Sequence, residues 1–205
     1  MPLESMGHLN GKWGICGFTS ALYALYAHSS VLKHGKLAEL GVRDSRMLAE
    51  ISSYFEELFA HGSPKLLAEI GEFCRSFEGF EGFSVVDYMR RAKATAATAR
   101  GPVSEDFSVG LPPQAVVDYL KRRCNLRNAR VVQAPGGPQE MALIVDPSKE
   151  LIIGVVDDDM TMYGGLCHWV YQDTNARVHS WGNVYNDFTC NGEFSDYCVI
   201  ISVNG

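Results

Sequence analysis

The apolar pattern of this chain changes period once, near residue 128, and that change constrains the fold more than any motif does. Before it, apolar residues recur at helical spacing. Phe18, Ala21, Leu22, Leu25 and Tyr26 follow i, i+3, i+4, i+7 and i+8, beginning just after Cys16. Met47, Leu48, Ile51, Tyr54, Phe55, Leu58 and Phe59 predict a second helix over 45–61, stopped by Gly62. Ser63 and Pro64 open a third, as N-cap and first helical residue, with Leu66, Leu67, Ile70, Phe73, Cys74 and Phe77 on one face. Ser84 and Asp87 form a capping-box-like start for a fourth, which runs into the Ala-rich stretch 92–99. After a loop over 101–111, Pro112-Pro113 begins a fifth, with Val116, Tyr119 and Leu120 inward.

Beyond residue 128 the runs are short, β-branched or apolar, and separated by turn residues. Strands are predicted at 129–133, 141–145, 151–156, 166–172, 176–181 and 196–203. The pair 166–172 and 176–181 flanks an Asp-Thr-Asn turn and reads as a hairpin. Helices first and an antiparallel sheet second make an α+β fold. The expectation is one domain over 1–205, helical to about 125 and sheet from about 126, with no linker.

Composition narrows the function classes. A chain of 205 residues can bury a core without disulfides or a structural metal. Its apolar fraction of 46% excludes disorder of the whole chain. A net charge of −6 argues against nucleic acid or an anionic membrane surface as the main partner. No apolar run reaches the length of a membrane span, and residues 1–14 lack the apolar region of a signal peptide. The six cysteines (Cys16, Cys74, Cys124, Cys167, Cys190 and Cys198) are scattered and form no CxxC pair, so reduced thiols are expected. Cys74 and Cys124 read as small buried hydrophobes.

Two stretches could carry chemistry. Residues 10–20 place Cys16 at the first turn of a helix, between Gly14 and Gly17. Free N–H groups and the helix dipole at that end favour the thiolate, which is the nucleophile. The glycines would let a substrate backbone come close. The plainer reading is a cysteine that packs where a helix starts. Residues 167–183 hold Cys167, His168, His179 and Asn183. His168, in a strand, could take a proton from Cys16 and return it to a leaving group. With two or four residues in the hairpin loop, His168 faces Trp181 and His179 is its diagonal neighbour on the same face. With three, His179 moves to the other face.

Together these stretches resemble the papain-like cysteine peptidase superfamily, whose members have a cysteine opening a long helix, then a helical region, then a sheet bearing histidine and an orienting polar residue. The family's glutamine six residues before the cysteine, an oxyanion-hole donor, is matched in position by Asn10. The family's Asn-Ser-Trp-Gly segment resembles His179-Ser180-Trp181-Gly182, with histidine in place of asparagine, as in the Cys-His-His sites of NlpC-type cell-wall peptidases. The resemblance implies a papain-like fold, a catalytic set of Cys16, His168 and His179, an oxyanion hole including Asn10, and no cofactor. Asp173, Asn183 and Asp187 compete with His179 for the third role.

Rival constellations are weaker. Asp157, Asp158 and Asp159 read as a solvated turn rather than a cation site. Cys167, His168, Cys190 and Cys198 make a poor zinc set, because Cys167 and His168 as strand neighbours should point to opposite faces. There is no Walker-type loop and no GxSxG elbow. The expected function is amide hydrolysis by a cysteine nucleophile, a papain-like protease acting on protein or peptide. A glutamine deamidase or acyltransferase would share the acyl-thioester intermediate. A binding module that keeps the fold without activity is the reading from another class, motivated by the departures at Asn10 and His179. The 15 residues before Cys16 are fewer than the inhibitory propeptide of secreted papain relatives. The expected setting is therefore the cytoplasm, or export by a signal-peptide-independent route such as that of a bacterial effector or toxin.

Overall fold

The computed structural model describes residues 12–28, 44–61, 63–133, 146, 148–157 and 162–204. The predicted strand at 141–145, the helix stop Gly62, the oxyanion candidate Asn10 and the acidic pair Asp158-Asp159 lie outside the described residues. The chain is mixed α+β, with helices in the N-terminal half and an antiparallel sheet at the C-terminal end. None of the described helices is long and apolar enough to cross a membrane.

The longer helices are α1 (Cys16–His28), α2 (Asp44–Ala60), α3 (Pro64–Arg75), α4 (Val85–Thr98) and α5 (Pro113–Arg122), and a four-residue helical turn at Met162–Gly165 precedes the third strand. Their starts follow local chemistry. Ser84 Oγ accepts the Asp87 N–H at 3.3 Å and caps α4. Pro64 and Pro113 open α3 and α5, where a missing N–H costs nothing. Ser63 precedes Pro64 as expected, but its hydroxyl makes no capping bond.

The first helix differs from its sequence pattern. An amphipathic stripe was expected, yet every residue from Cys16 to Tyr26 is buried. The cause is its place at the centre: α1 packs on α5 and on the second, third and fourth strands of the sheet. Phe18 meets Tyr54 and Tyr119 edge-on, with ring centroids 5.9 and 4.9 Å away. Buried Glu50 of α2 accepts Arg123 Nη2 at 2.7 Å and the Tyr119 hydroxyl at 3.2 Å, which ties α2 to the end of α5.

The sheet holds β1 (Arg130–Gln133), β2 (Leu151–Val156), β3 (Leu166–Gln172), β4 (Val178–Ser180), β5 (Asn183–Tyr185) and β6 (Asp196–Ser202), in the order β1-β6-β2-β3-β4-β5. Ile152, Trp169, Tyr171 and Ile201 face the helices and join their core. Leu151, Ile153, Val170 and Ile200 point the other way and are covered by Cys190 and Phe194. Thus β2 is buried along its whole length. Gly154 is the close-approach point: a Cβ there would lie 2.3 Å from Val199 and 3.1 Å from the Trp169 ring.

Candidate active site

The segment before α1 is laced to the loop between α4 and α5. Trp13 Nε1 donates to the Glu105 carbonyl at 2.9 Å, and the Gly14 N–H donates to Ser108 Oγ at 2.7 Å. The Val109 N–H returns a bond to the Gly14 carbonyl at 3.1 Å. Ile15 then supplies the first helical acceptor, its carbonyl taking the Phe18 and Thr19 N–H groups. These bonds place Cys16 in the first turn of α1. The two flanking glycines serve different ends. Gly14 is exposed beside the cavity described below, whereas Gly17 is packed so tightly that a Cβ would meet Leu111 at 2.9 Å.

The Cys16 sulfur is within hydrogen-bond reach of the Trp169 N–H in β3. Burial pushes its pKa up to about 11, against the opposing pull of N–H groups from Trp169, Gly17 and Cys16 itself. The helix start was expected to yield a thiolate. Here desolvation outweighs the dipole and the resting group is a thiol. Trp169 fixes this contact from several sides. Its indole donates to the Leu111 carbonyl at 2.9 Å, and its own carbonyl accepts Ser20 Oγ at 3.0 Å.

His168 lies next to an irregularity. Val155 pairs with His168 but Val156 pairs with Leu166, so Cys167 is the extra residue of a β-bulge. The strict alternation assumed for Cys167 and His168 therefore fails. Cys167 packs with the outer face of the sheet, and its sulfur donates to the Val155 carbonyl at 3.4 Å. The His168 ring stacks on Trp181 and Phe194, at centroid distances of 4.4 and 5.2 Å. Its Nε2 is 2.7 Å from Ser180 Oγ. Burial alone pulls its pKa down to about 3, so the imidazole is neutral at pH 7.

The hairpin register decides the third residue. Asp173 and Arg177 close a loop of three residues, with the Asp173 N–H on the Arg177 carbonyl and the Ala176 N–H on the Asp173 carbonyl. Ala176 takes φ 60°, which completes a type I turn plus left-handed residue. Tyr171 consequently pairs with His179, and His168 does not face Trp181 across the ladder. His179 is on the helix face with Tyr23 and Tyr171, both ring centroids 5.7 Å away. Its Nε2 meets Asp173 Oδ2 at 3.1 Å. Burial pushes Asp173 upward, but hydrogen bonds from His179, Arg177 and the backbone at 175 and 177 outweigh it and hold the carboxyl near 2. His179 and Asp173 therefore form a hairpin anchor, on the opposite face of the sheet from the His168 ring.

Asn183 and Asp187 were expected in a loop over 182–191. Asn183 instead begins β5, is exposed, and turns its amide to the Tyr185 hydroxyl at 3.4 Å. Asp187 is exposed and accepts the Thr189 N–H at 2.9 Å. The residue that reaches His168 is Ser180, which the sequence does not single out. Between Ser180 and Asn183, Trp181 and Gly182 carry φ 48° and 77°, the signs of a type I′ hairpin turn. A tryptophan rarely adopts that conformation. It folds the indole over the imidazole, and the Gly182 N–H bonds to the Tyr23 hydroxyl of α1. The usable signals were Asp173, a natural acceptor for its own turn, and the Trp-Gly pair suited to a tight reversal.

Cys16 and His168 line one cavity of about 320 Å³. Cys74, Cys167 and Trp169 line it as well, with Phe73, Phe77 and Phe80 on one side and Ser108, Val109 and Gly110 also in the lining. Among the described residues no three His, Cys, Asp or Glu side chains converge into a group that could hold a metal ion. All six cysteines are free thiols. The chain matches no protein-family model, no curated protein and no solved structure.

Proposed function

We propose that the chain is a papain-like thiol hydrolase acting on amides, with Cys16 as nucleophile, His168 as base and acid, and Ser180 as the residue that orients the imidazole. The observation that carries this reading is the shared cavity. A cysteine in the first turn of a helix and a histidine 2.7 Å from a buried hydroxyl open onto the same 320 Å³ space. With Nε2–H donating to Ser180 Oγ, Nδ1 is the unprotonated nitrogen left for Cys16. Both groups are neutral at rest, so attack by the thiol would have to be coupled to proton transfer to the imidazole.

The steps follow. Cys16 Sγ attacks the amide carbonyl while its proton passes to His168. The oxyanion is held by the Cys16 N–H and, as the family resemblance implies, by Asn10. Collapse breaks the C–N bond, His168 protonates the amine, and a thioester remains. Water activated by His168 then releases the acid. A peptide, a glutamine side chain or an amine acceptor would share every step up to the thioester.

The test is exposure of the purified protein to a complex peptide mixture, with cleavage and ammonia release read by mass spectrometry and enzymatic assay. Turnover lost in both Cys16→Ala and His168→Ala supports the reading, and turnover kept by Cys16→Ala refutes it. One observation favours a second reading, a binding module without activity: burial drives the thiol up and the imidazole down, away from an ion pair. In that case no amide turns over, and ligands of the cavity bind Cys16→Ala as they bind wild type.

A further inference from the structure

The cavity beside Cys16 is chemically lopsided. The chain leaving α3 makes successive tight turns, with the Phe77 N–H on the Cys74 carbonyl, Phe80 on Phe77 and Phe83 on Phe80. Gly79 takes φ 80° in this run, and its N–H is capped by Glu81 Oε1 at 3.0 Å. Phe77, Glu78 and Phe80 from these turns line the cavity together with Phe73 of α3. Gly110, also in the lining, packs directly on these rings: a Cβ there would come within 3.0 Å of Phe73 and 3.4 Å of Phe77.

Glu78 is the one carboxylate in the lining. It is exposed, and among the described residues it has no ion-pair or hydrogen-bond partner. The neighbouring cation Arg75 is turned elsewhere, its Nη1 on the Phe83 carbonyl at 3.1 Å. Every other titratable group in the lining is neutral at pH 7. Burial holds Cys16 near 11 and Cys74 and Cys167 near 12, and it holds His168 near 3. The cavity is thus lined by aromatic and neutral groups, with one exposed carboxylate that is unmatched among the described residues.

We propose that the substrate side chain entering this cavity is a long apolar-stemmed cation, of the lysine or arginine class, its stem on Phe73, Phe77 and Phe80 and its charged head at Glu78. Such a side chain buries its methylenes while its head stays in water. The aromatic faces attract the same head. A carboxylate in its place would meet Glu78 in a chain of net charge −6. The volume suits one extended side chain better than a folded partner. The inference rests on the reading of Cys16 as a nucleophile.

The experiment uses the full chain and peptidyl acyloxymethyl ketones that differ at one side chain: lysine, norleucine or glutamate, varied next to the warhead and one residue beyond. The readout is the second-order rate of Cys16 modification, localised by peptide mass spectrometry. The lysine reagent is expected to react about threefold to tenfold faster than norleucine in one of the two series, with glutamate slowest. Glu78→Gln should bring the lysine-to-norleucine ratio close to one, and Glu78→Lys should favour glutamate. Rates independent of charge, or a lysine preference that survives Glu78→Gln, overturn the cation inference while leaving the hydrolase reading intact. No modification of Cys16 by any reagent, when the denatured protein does react, overturns the hydrolase reading and the inference with it.

Discussion

Ser180 Oγ lies 2.7 Å from His168 Nε2, on the face of the sheet opposite the Asp173–His179 pair. The two histidines of the hairpin therefore have separate tasks. One lines the cavity and is bonded to a serine. The other holds the hairpin loop by its aspartate.

Ser180→Ala should lower kcat/KM about tenfold to a hundredfold with little change in KM, because a buried bond worth roughly 1–3 kcal/mol is removed from the group that moves the proton. Ser180→Thr or Ser180→Asn, which keep an oxygen acceptor, should recover part of the loss. His179→Ala should act mainly on stability, lowering Tm while the folded protein keeps most of any kcat the hydrolase reading gives it. Steady-state kinetics and calorimetry on the four variants separate the two roles, and a collapse of kcat in His179→Ala without loss of Tm would reverse the assignment.

Alkylation of Cys16 by iodoacetamide should be slow at neutral pH. With the thiol pushed up to about 11, the rate should climb about tenfold per pH unit between pH 7 and pH 10. Mass spectrometry of the Cys16 peptide against pH measures this. A plateau already reached at pH 6 would reveal a thiolate–imidazolium pair and refute the neutral resting state.

Acid should destabilise the fold through His168. Its folded pKa, near 3, is below the unfolded value near 6.5, so between those values the unfolded chain binds more protons and stability falls as pH falls. From pH 6.5 to pH 5 the cost is about 2 kcal/mol. Urea titrations at both pH values should show this difference in wild type and a smaller one in His168→Gln.

How much of this was legible in the sequence is best seen at the two ends of the site. The helix at Cys16 and the strand at His168 follow from periodicity, because apolar spacing directly encodes which side of an element is buried. The hairpin register does not, because it depends on whether Ala176 accepts a left-handed backbone, a choice made by the turn and by the packing of Tyr171 on α1 rather than by composition. One added loop residue exchanged Ser180 for His179 beside the imidazole. The thiol's protonation was likewise out of reach, since the helix start is visible in the sequence and its burial is not.

Gly154→Ala should be among the most damaging single methyl groups that can be added to the sheet. Its Cβ would overlap Val199 and crowd Leu166 and the Trp169 ring, and overpacking of this kind costs roughly 1–3 kcal/mol or more. The expected signs are a lower Tm by thermal melting and reduced Cys16 reactivity, since Trp169 carries the N–H beside the sulfur. An unchanged Tm would mean that the sheet yields at this point.

Trp169 links residues that are distant along the chain. Its N–H reaches Cys16 and its carbonyl accepts Ser20, a separation of 149 residues for the latter bond. Contacts of that span form late, after the local helices, because the long intervening loop must be closed first. The surroundings of Cys16 are therefore among the last features this chain completes as it folds. A partly synthesised or partly opened copy lacks the Trp169 contact, and its Cys16 thiol, no longer desolvated, is an ordinary solvent-exposed thiol rather than one whose pKa is held near 11.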